Sequence, residues 1–155
     1  MWFSKKQAVK VPSQDAVDYA AALPGQITTK LRGDLAEAAA RTFLVGAGLR
    51  WIESNYRTPG RGGGEIDLVM RTRDETLVFV EVRYRSTATH GGAGASISAV
   101  KRRRIIYAAT QYLMRFARPP PCRFDVVLVQ GAFADEKSFK PFVEWLPAAF
   151  DASQA

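Results

Sequence analysis

Two acidic residues in neighbouring strand candidates have the types and spacing most suited to chemistry. Asp67 lies in the apolar segment 64–70 and Glu81 in the segment 77–85, and the polar residues 71–76 between them suit a hairpin connection. Strand pairing would bring the two carboxylates together on one face. At about 4 Å their repulsion is about 4 kcal/mol at an effective dielectric of 20. Such a pair is typical of a site that binds a divalent cation or shares a proton, whereas an exposed face with Glu–Arg cross-strand pairs is the alternative.

The segments that carry this pair show strand alternation. In residues 64–70 the period of two predicts that Ile66, Leu68 and Met70 share one face, with Asp67 on the other. In residues 77–85 the valines share a face opposite to that of Glu81. Charged residues inside the most apolar run of the chain are costly to bury unless they are paired or bind a cation.

Positive charge dominates the chain and suggests a polyanionic partner. The 155 residues include 22 Lys and Arg against 15 Asp and Glu, a formal net charge of +7, which favours nucleic acid or an anionic membrane surface. Residues 101–104 read Lys-Arg-Arg-Arg in the first turns of a predicted helix. Positive charge there opposes the helix dipole by roughly 0.3–1 kcal/mol per residue. Polyanion binding is therefore favoured over a merely solvated basic turn.

Several functional classes are excluded by composition. No apolar run has the length of a membrane span, and the N-terminal residues do not form a secretory signal, so a cytoplasmic protein with no membrane partner is expected. The single cysteine, Cys122, cannot form an internal disulfide and is predicted to be a small core residue. The single histidine, His90, is too few for a His-rich zinc site.

The length suits one domain with a sizeable core. We expect a loosely attached extension over residues 1–28, a folded domain over 29–147 and a frayed tail over 148–155. The first predicted helix spans residues 31–45, and its predicted buried face comprises Leu31, Leu35, Ala38, Ala39 and Thr42. The second spans residues 97–117, and its predicted buried face comprises Ile105, Ala108, Ala109, Tyr112, Leu113 and Phe116. Further strands are predicted at 49–57, 123–130 and 142–146.

A glycine-rich loop over residues 58–64 precedes the strand that carries Asp67. It lacks the Lys-Ser/Thr of a P-loop and leads into a strand rather than a helix, so it is not a nucleotide-binding fingerprint. Arg57 precedes this loop and Arg61 lies within it, and both are plausible contacts to a phosphate chain.

The predicted order of helix, strand, hairpin, helix and strand indicates an α/β sandwich with a mixed sheet. An ordered series of residues runs through it: Gly33, Glu37, Ala40, Asn55-Tyr56-Arg57, Gly64-Glu65-Ile66-Asp67-Leu68, Phe79-Val80-Glu81-Val82-Arg83-Tyr84-Arg85, Gly91-Gly92, Lys101 and Arg123-Phe124-Asp125-Val126. The Asp followed by Glu-x-basic resembles the PD-(D/E)xK signature of the restriction-endonuclease-like superfamily. More closely, residues 29–146 resemble the YraN-like family of bacterial proteins, which are similar to archaeal Holliday-junction resolvases.

This resemblance implies a three-layer α/β/α sandwich with a mixed central sheet, and a metal-dependent DNA endonuclease. Asp67 and Glu81 would ligate Mg²⁺ or Mn²⁺ with the Val82 carbonyl, and Glu37 would direct a further carboxylate at the metal site. Nucleic-acid contacts are implied for Arg57, Arg61, Arg85, Lys101, Arg102, Arg103 and Arg104. By analogy with junction-cutting relatives, the resemblance also implies a homodimer.

The chain departs from the superfamily motif at Arg83, where the motif has lysine. An arginine stays protonated and cannot act as a general base, although it could orient a water or stabilise a pentavalent phosphate. Lys101 could supply the missing ammonium from the helix. The alternatives to an endonuclease are a non-catalytic nucleic-acid-binding protein of the same fold and an adaptor that docks on an acidic protein.

Overall fold

The computed structural model describes residues 8–9, 28–86, 97–131 and 140–154. These contain two helices, α1 (Thr29–Gly46) and α2 (Ala99–Leu113), and a short 3-10 helix at Ala152–Gln154. The strands are β1 (Ala8–Val9), β2 (Arg50–Arg57), β3 (Glu65–Arg71), β4 (Leu77–Arg85), β5 (Cys122–Gln130) and β6 (Phe142–Phe150). His90 and most of the predicted N-terminal extension lie outside the described residues. In the described ranges no helix is long and apolar enough to cross a membrane.

The six strands form one mixed sheet in the order β1-β6-β5-β4-β3-β2. The central pair β4–β5 is parallel, and the other pairs are antiparallel. The α/β class and the mixed sheet predicted from the sequence are thus confirmed. The parallel pair requires a crossover, and α2 lies in it.

The two helices pack into separate hydrophobic clusters. Helix α2 buries Ile105 and Tyr112 in a cluster that contains Phe79 of β4, whereas α1 packs in a cluster that contains Val78 and Val80 of the same strand. Because successive side chains of a strand point to opposite faces, the helices cover opposite faces of β4. The predicted buried face of α2 is confirmed, with Leu113 and Phe116 partly buried at its edge.

Helix α1 does not bury most of its predicted face; of those residues, Ala39 is partly buried against the cluster of this helix. The residues it buries are Ala36, Ala40, Phe43 and Leu44. Apolar side chains surround much of this alanine-rich helix, so its periodicity did not single out one face. The large side chains of Phe43 and Leu44 determine which face meets the sheet.

Strand β3 changes face at Asp67, contrary to its predicted alternation. Ile66 packs in the cluster with α2, whereas Leu68 and Met70 pack in the cluster with α1. Asn55 and Asp67 lie between the paired positions Ser54↔Leu68 and Tyr56↔Ile66, and Asn55 has a left-handed φ of 55°. This irregularity reorients the paired strands locally, and it places Asp67 where the sheet is distorted.

Three further segments differ from their predicted positions. Helix α2 ends at Leu113 rather than 117, and tight i→i+3 turns follow it before the prolines at 119–121, which cannot continue a helix. Strand β6 continues to Phe150, whose ring stacks on Phe124 at 4.9 Å, so the part of the predicted tail at residues 148–150 belongs to the sheet. Cys122 begins β5 and is exposed rather than a core residue.

Candidate active site

The carboxylate pair, Asp67 and Glu81, lies where β3 and β4 separate. The ladder between these strands runs from Arg71↔Leu77 to Leu68↔Val80 and stops there. At the next position Asp67 Oδ2 accepts a hydrogen bond from the Val82 backbone N–H at 2.7 Å. A side chain therefore takes the place of the strand partner, and this holds the Asp67 carboxylate against β4 beside Glu81.

Glu81 is buried, with 6% of its surface exposed. Its Oε2 atom is inaccessible to solvent and accepts no hydrogen bond, while Lys101 Nζ lies 3.3 Å from it. Helix α2 supplies this lysine from its first turn, which Ser98 caps by accepting the Lys101 backbone N–H at 3.2 Å. Among the residues that the structure describes, the cationic partner of this buried carboxylate is thus an ammonium.

The two carboxyl groups affect each other's protonation. Burial, together with the charge of Asp67, raises the pKa of Glu81 to about 8 against the opposing effect of Lys101. Burial also raises the pKa of Asp67, although the Val82 N–H and the Lys101 ammonium act to lower it. Since burial raises the pKa of both groups and the charge of Asp67 opposes ionisation of Glu81, the pair favours holding one proton at neutral pH.

Glu37 approaches this site from α1. Burial and, to a lesser extent, the charge of Asp67 raise its pKa to about 7, so the two residues lie within electrostatic range. A side-chain hydrogen bond with Asn55 acts in the opposite direction. The left-handed backbone at Asn55 therefore brings an amide to a third carboxyl group.

The carboxylate pair fits a hard divalent cation. Mg²⁺ is typically bound by one or two carboxylates and keeps several waters for substrate phosphates. The unsatisfied Glu81 Oε2 atom and the mutual repulsion of the pair are the features that such a cation would relieve. Within the described ranges no three Asp, Glu, His or Cys side chains are close enough to form a ready-made metal cluster. Asp67, Glu81 and Glu37 are therefore not a preformed set of three ligands, and a role for Glu37 at a metal stays a prediction.

A cleft of about 530 Å³ opens beside Lys101. We call it the basic cleft; it is lined by Arg57, Thr58, Gly60, Gly62, Gly63, Gly64, Glu65, Lys101 and Arg104. The loop wall is closed on itself, since Thr58 Oγ1 accepts the Gly64 N–H at 2.9 Å and the Thr58 N–H donates to the Gly64 carbonyl at 3.1 Å. A Cβ at Gly64 would lie 2.0 Å from the Arg104 carbonyl oxygen. Only glycine allows the loop to approach α2 this closely.

The structure brings together some of the predicted nucleic-acid contacts and separates others. Arg57, Lys101 and Arg104 line the cleft, and Arg57 pairs with Glu65 at 3.1 Å. Arg102 is half-buried and donates to the Ile97 carbonyl at 3.0 Å, so it stabilises the start of α2. The remaining predicted contacts do not line the cleft: Arg61 and Arg103 are exposed, and Arg85 is half-buried at the end of β4. Arg83 is half-buried two residues beyond Glu81.

Two residues that shape the site were not assigned a role from the sequence. Thr58 is buried and closes the loop. Asn55 has a left-handed φ, and its side chain forms a hydrogen bond with Glu37. The sequence does contain a feature that could have indicated each of these two roles. Asparagine tolerates positive φ better than other non-glycine residues, and a threonine before Pro-Gly has a hydroxyl suited to closing a turn.

In a comparison with known protein families, residues 36–129 match the model of a family described as "Uncharacterised protein family UPF0102". A "UPF0102 protein" of Polaromonas naphthalenivorans strain CJ2 is 74% identical over 153 residues, which cover 99% of this chain and 100% of the relative. A "UPF0102 protein" of Polaromonas sp. strain JS666 is 67% identical over 153 residues, which again cover 99% of this chain and 100% of the relative. One of Paracidovorax citrulli is 59% identical over 125 residues, covering 81% of this chain and 86% of the relative.

Proposed function

The chain belongs to the uncharacterised protein family UPF0102, the YraN-like family that its residues resemble, and we propose that it is a divalent-metal-dependent endonuclease acting on DNA phosphodiester bonds. The observation that carries the proposal is the convergence of Asp67 and Glu81 at the point where β3 and β4 separate, beside Lys101 and the basic cleft. A restriction-endonuclease-like three-layer sandwich is the architecture that this proposal assigns to the fold.

In the proposed mechanism Asp67, Glu81 and the Val82 carbonyl would hold Mg²⁺ or Mn²⁺. The bound ion would lower the pKa of a coordinated water and neutralise charge on the scissile phosphate. The Val82 N–H keeps the Asp67 carboxylate oriented. Lys101 and Arg83 donate hydrogen bonds to phosphate oxygens, since neither the paired ammonium nor the guanidinium is suited to accept a proton. Glu37 adds negative charge at the edge of the site.

The proposal is tested by incubating branched, flapped and linear duplex DNA with the protein in Mg²⁺ or Mn²⁺. We expect cleavage by the wild type and a loss of at least about 100-fold in Asp67→Asn and Glu81→Gln, because each change removes one anionic ligand. Asp74→Asn is the matched control, since Asp74 is exposed in the β3–β4 hairpin. Equal background cutting by the wild type and Asp67→Asn on every substrate would exclude the nuclease.

A second candidate function is nucleic-acid binding without turnover. It is favoured by Lys101, whose ammonium already pairs with Glu81 at 3.3 Å, and by the arginine at the motif position of lysine. In EDTA this function predicts that Asp67→Asn binds DNA as well as the wild type or better, because a negative charge is removed next to the cleft. Weaker binding by this variant in EDTA would count against a purely electrostatic binder.

A further inference from the structure

The basic cleft has a composition that suits one phosphate group rather than a base. Its nine lining residues include three cations, Arg57, Lys101 and Arg104, and no aromatic ring. Base recognition in single strands depends on aromatic stacking, whereas a groove of cations follows the backbone. Its volume of about 530 Å³ falls within the range of small-ligand pockets.

The cleft walls are built to keep this shape. The Thr58–Gly64 hydrogen bonds close the loop on one side, and the direct approach of Gly64 to the Arg104 carbonyl joins the loop to α2 on the other. A ligand in the cleft therefore meets side chains from two elements that are already held together. Little ordering of backbone is then required on binding.

The three cations that line the cleft differ in whether a carboxylate already pairs with them. Arg57 is paired with Glu65 at 3.1 Å, and Lys101 is paired with Glu81 at 3.3 Å. Arg104 is exposed and forms no ion pair within the described residues. Arg104 is thus the lining cation whose charge is not already balanced by a carboxylate.

From this arrangement we infer that the basic cleft is a phosphate subsite, which holds one phosphate of a nucleic-acid strand next to the carboxylate pair, with Arg104 as its principal contact. Lys101 lies at the border between the two sites, because it both lines the cleft and contacts Glu81. The inference rests on the nucleic acid of the proposed function but does not require metal binding or cleavage. A phosphate of an unpaired strand and a phosphate of a continuous duplex share this chemistry.

The inference is tested by measuring binding in EDTA, where cleavage is absent. Affinities are determined for an eight-nucleotide single strand and for the corresponding duplex, with inorganic phosphate as competitor. We expect Arg104→Gln to weaken binding of at least one of these by about tenfold, the size expected for one charge-assisted hydrogen bond, and to abolish competition by phosphate. Loss with the single strand alone assigns the subsite to unpaired DNA, and loss with both assigns it to the backbone in general; either result supports the subsite.

Two variants provide the controls. Arg73→Gln removes the same charge at the exposed β3–β4 hairpin and should change affinity by less than about twofold. Arg103→Gln removes a neighbouring exposed arginine of α2 that does not line the cleft, and its loss should be at least about threefold smaller than that of Arg104→Gln. Equal losses in Arg103→Gln and Arg104→Gln would overturn the subsite, and cleavage by the wild type would leave the proposed function standing. Binding that follows the expected pattern without any cleavage would instead remove the nuclease and retain the subsite.

Discussion

At the scale of single residues, the carboxylate pair is held in an arrangement that favours a cation. The Val82 N–H fixes Asp67, burial removes Glu81 from water, and Lys101 supplies one positive charge to both. An ammonium is a weaker partner for two carboxylates than a divalent ion, because its charge is half as large. The site therefore contains a built-in competitor for a metal.

Lys101→Met should strengthen Mn²⁺ binding by about tenfold, because it removes a positive charge 3.3 Å from Glu81 Oε2. Isothermal titration calorimetry at pH 8.5, without DNA, measures this affinity. Arg73→Gln, which removes the same charge at a distance, should leave the affinity unchanged. If Lys101→Met bound Mn²⁺ no better than the wild type, the ammonium and the ion would not compete for these carboxylates.

The metal-free protein should lose stability as pH rises through neutrality. Both Glu37 and Glu81 have raised pKa values in the folded state, about 7 and about 8 against an ordinary 4.5. The stability gained by their protonation is fully present below about pH 4.5 and is lost as pH rises through those higher values. Between pH 5 and 8 we expect a loss on the order of 2 kcal/mol in the free energy of unfolding by urea in EDTA.

Glu81→Gln should remove the larger share of that pH dependence, since glutamine does not titrate, and should leave the share that Glu37 contributes. Glu144→Gln, a half-buried glutamate on β6, serves as the matched control and should retain the wild-type profile. A flat wild-type profile between pH 5 and 8 would show that the two glutamates are ionised without cost in the folded protein.

At the scale of elements, the effect of tight packing and the effect of helix propensity can be tested separately at two glycines, one in close contact and one in open space. Gly64 lies against the α2 backbone, where a Cβ would be 2.0 Å from the Arg104 carbonyl oxygen, whereas a Cβ at Gly33 in α1 would meet nothing within 4 Å. The loop and α2 therefore form one unit, and the first helix has open space at its second turn.

Gly64→Ala should destabilise the protein by about 1–3 kcal/mol, because the loop must move off α2, and it should weaken phosphate competition at the basic cleft. Gly33→Ala should stabilise it by about 0.5–1 kcal/mol through helix propensity. Chemical denaturation of both variants provides the comparison. Equal stability of Gly64→Ala and the wild type would contradict the close approach of loop and helix.

The junction between β5 and β6 depends on a buried carboxylate. Asp125 is 0% exposed and accepts hydrogen bonds from Arg123, from Trp145 Nε1 at 2.9 Å and from the Ala148 N–H at 2.9 Å. Its position coincides with the register shift between Phe124 and Val126. Asp125 thus supports the sheet rather than the candidate active site.

Asp125→Ala should cost about 3–5 kcal/mol, because three donors at this junction would lose their buried acceptor. Thermal unfolding checks this, with the exposed Asp151→Ala as control. A variant that unfolds within about 1 kcal/mol of the wild type would show that water replaces the carboxylate at this junction.

At the scale of the whole molecule, the net charge of +7 is distributed so that only some of it faces the cleft. Affinity for DNA should therefore depend on salt partly through a few localised contacts. The slope of log K against log salt should fall by about 0.9 for each duplex phosphate contact that a variant loses. Positive charges that do not contact a DNA phosphate contribute to long-range attraction and not to the slope per phosphate contact.

The double variant Arg57→Gln/Arg104→Gln should accordingly show a smaller salt slope than the wild type in EDTA. The double variant Arg32→Gln/Arg73→Gln, which removes the same charge at exposed positions of α1 and the hairpin, should keep the wild-type slope. Fluorescence anisotropy over a series of salt concentrations measures both. The same slope in all three proteins would place the DNA footprint elsewhere on the surface.

The sequence alone determined those features that depend on neighbours along the chain. The bounds of β4, the α/β order, the buried face of α2 and the basic first turn of that helix follow from local alternation, helical period and charge. These patterns are readable because each is repeated within one element. The family was also readable, because its residues recur in order along most of the chain.

Only the tertiary structure decided the features that depend on contacts between distant segments. The face of α1 that meets the sheet, the change of face of β3 at Asp67 and the pairing of Lys101 with Glu81 each join elements whose patterns are locally independent. The basic cleft arises from the approach of Gly64 to Arg104, 40 positions later in the chain. Local periodicity carries no information on such approaches, because the packing of whole elements determines which side chains meet.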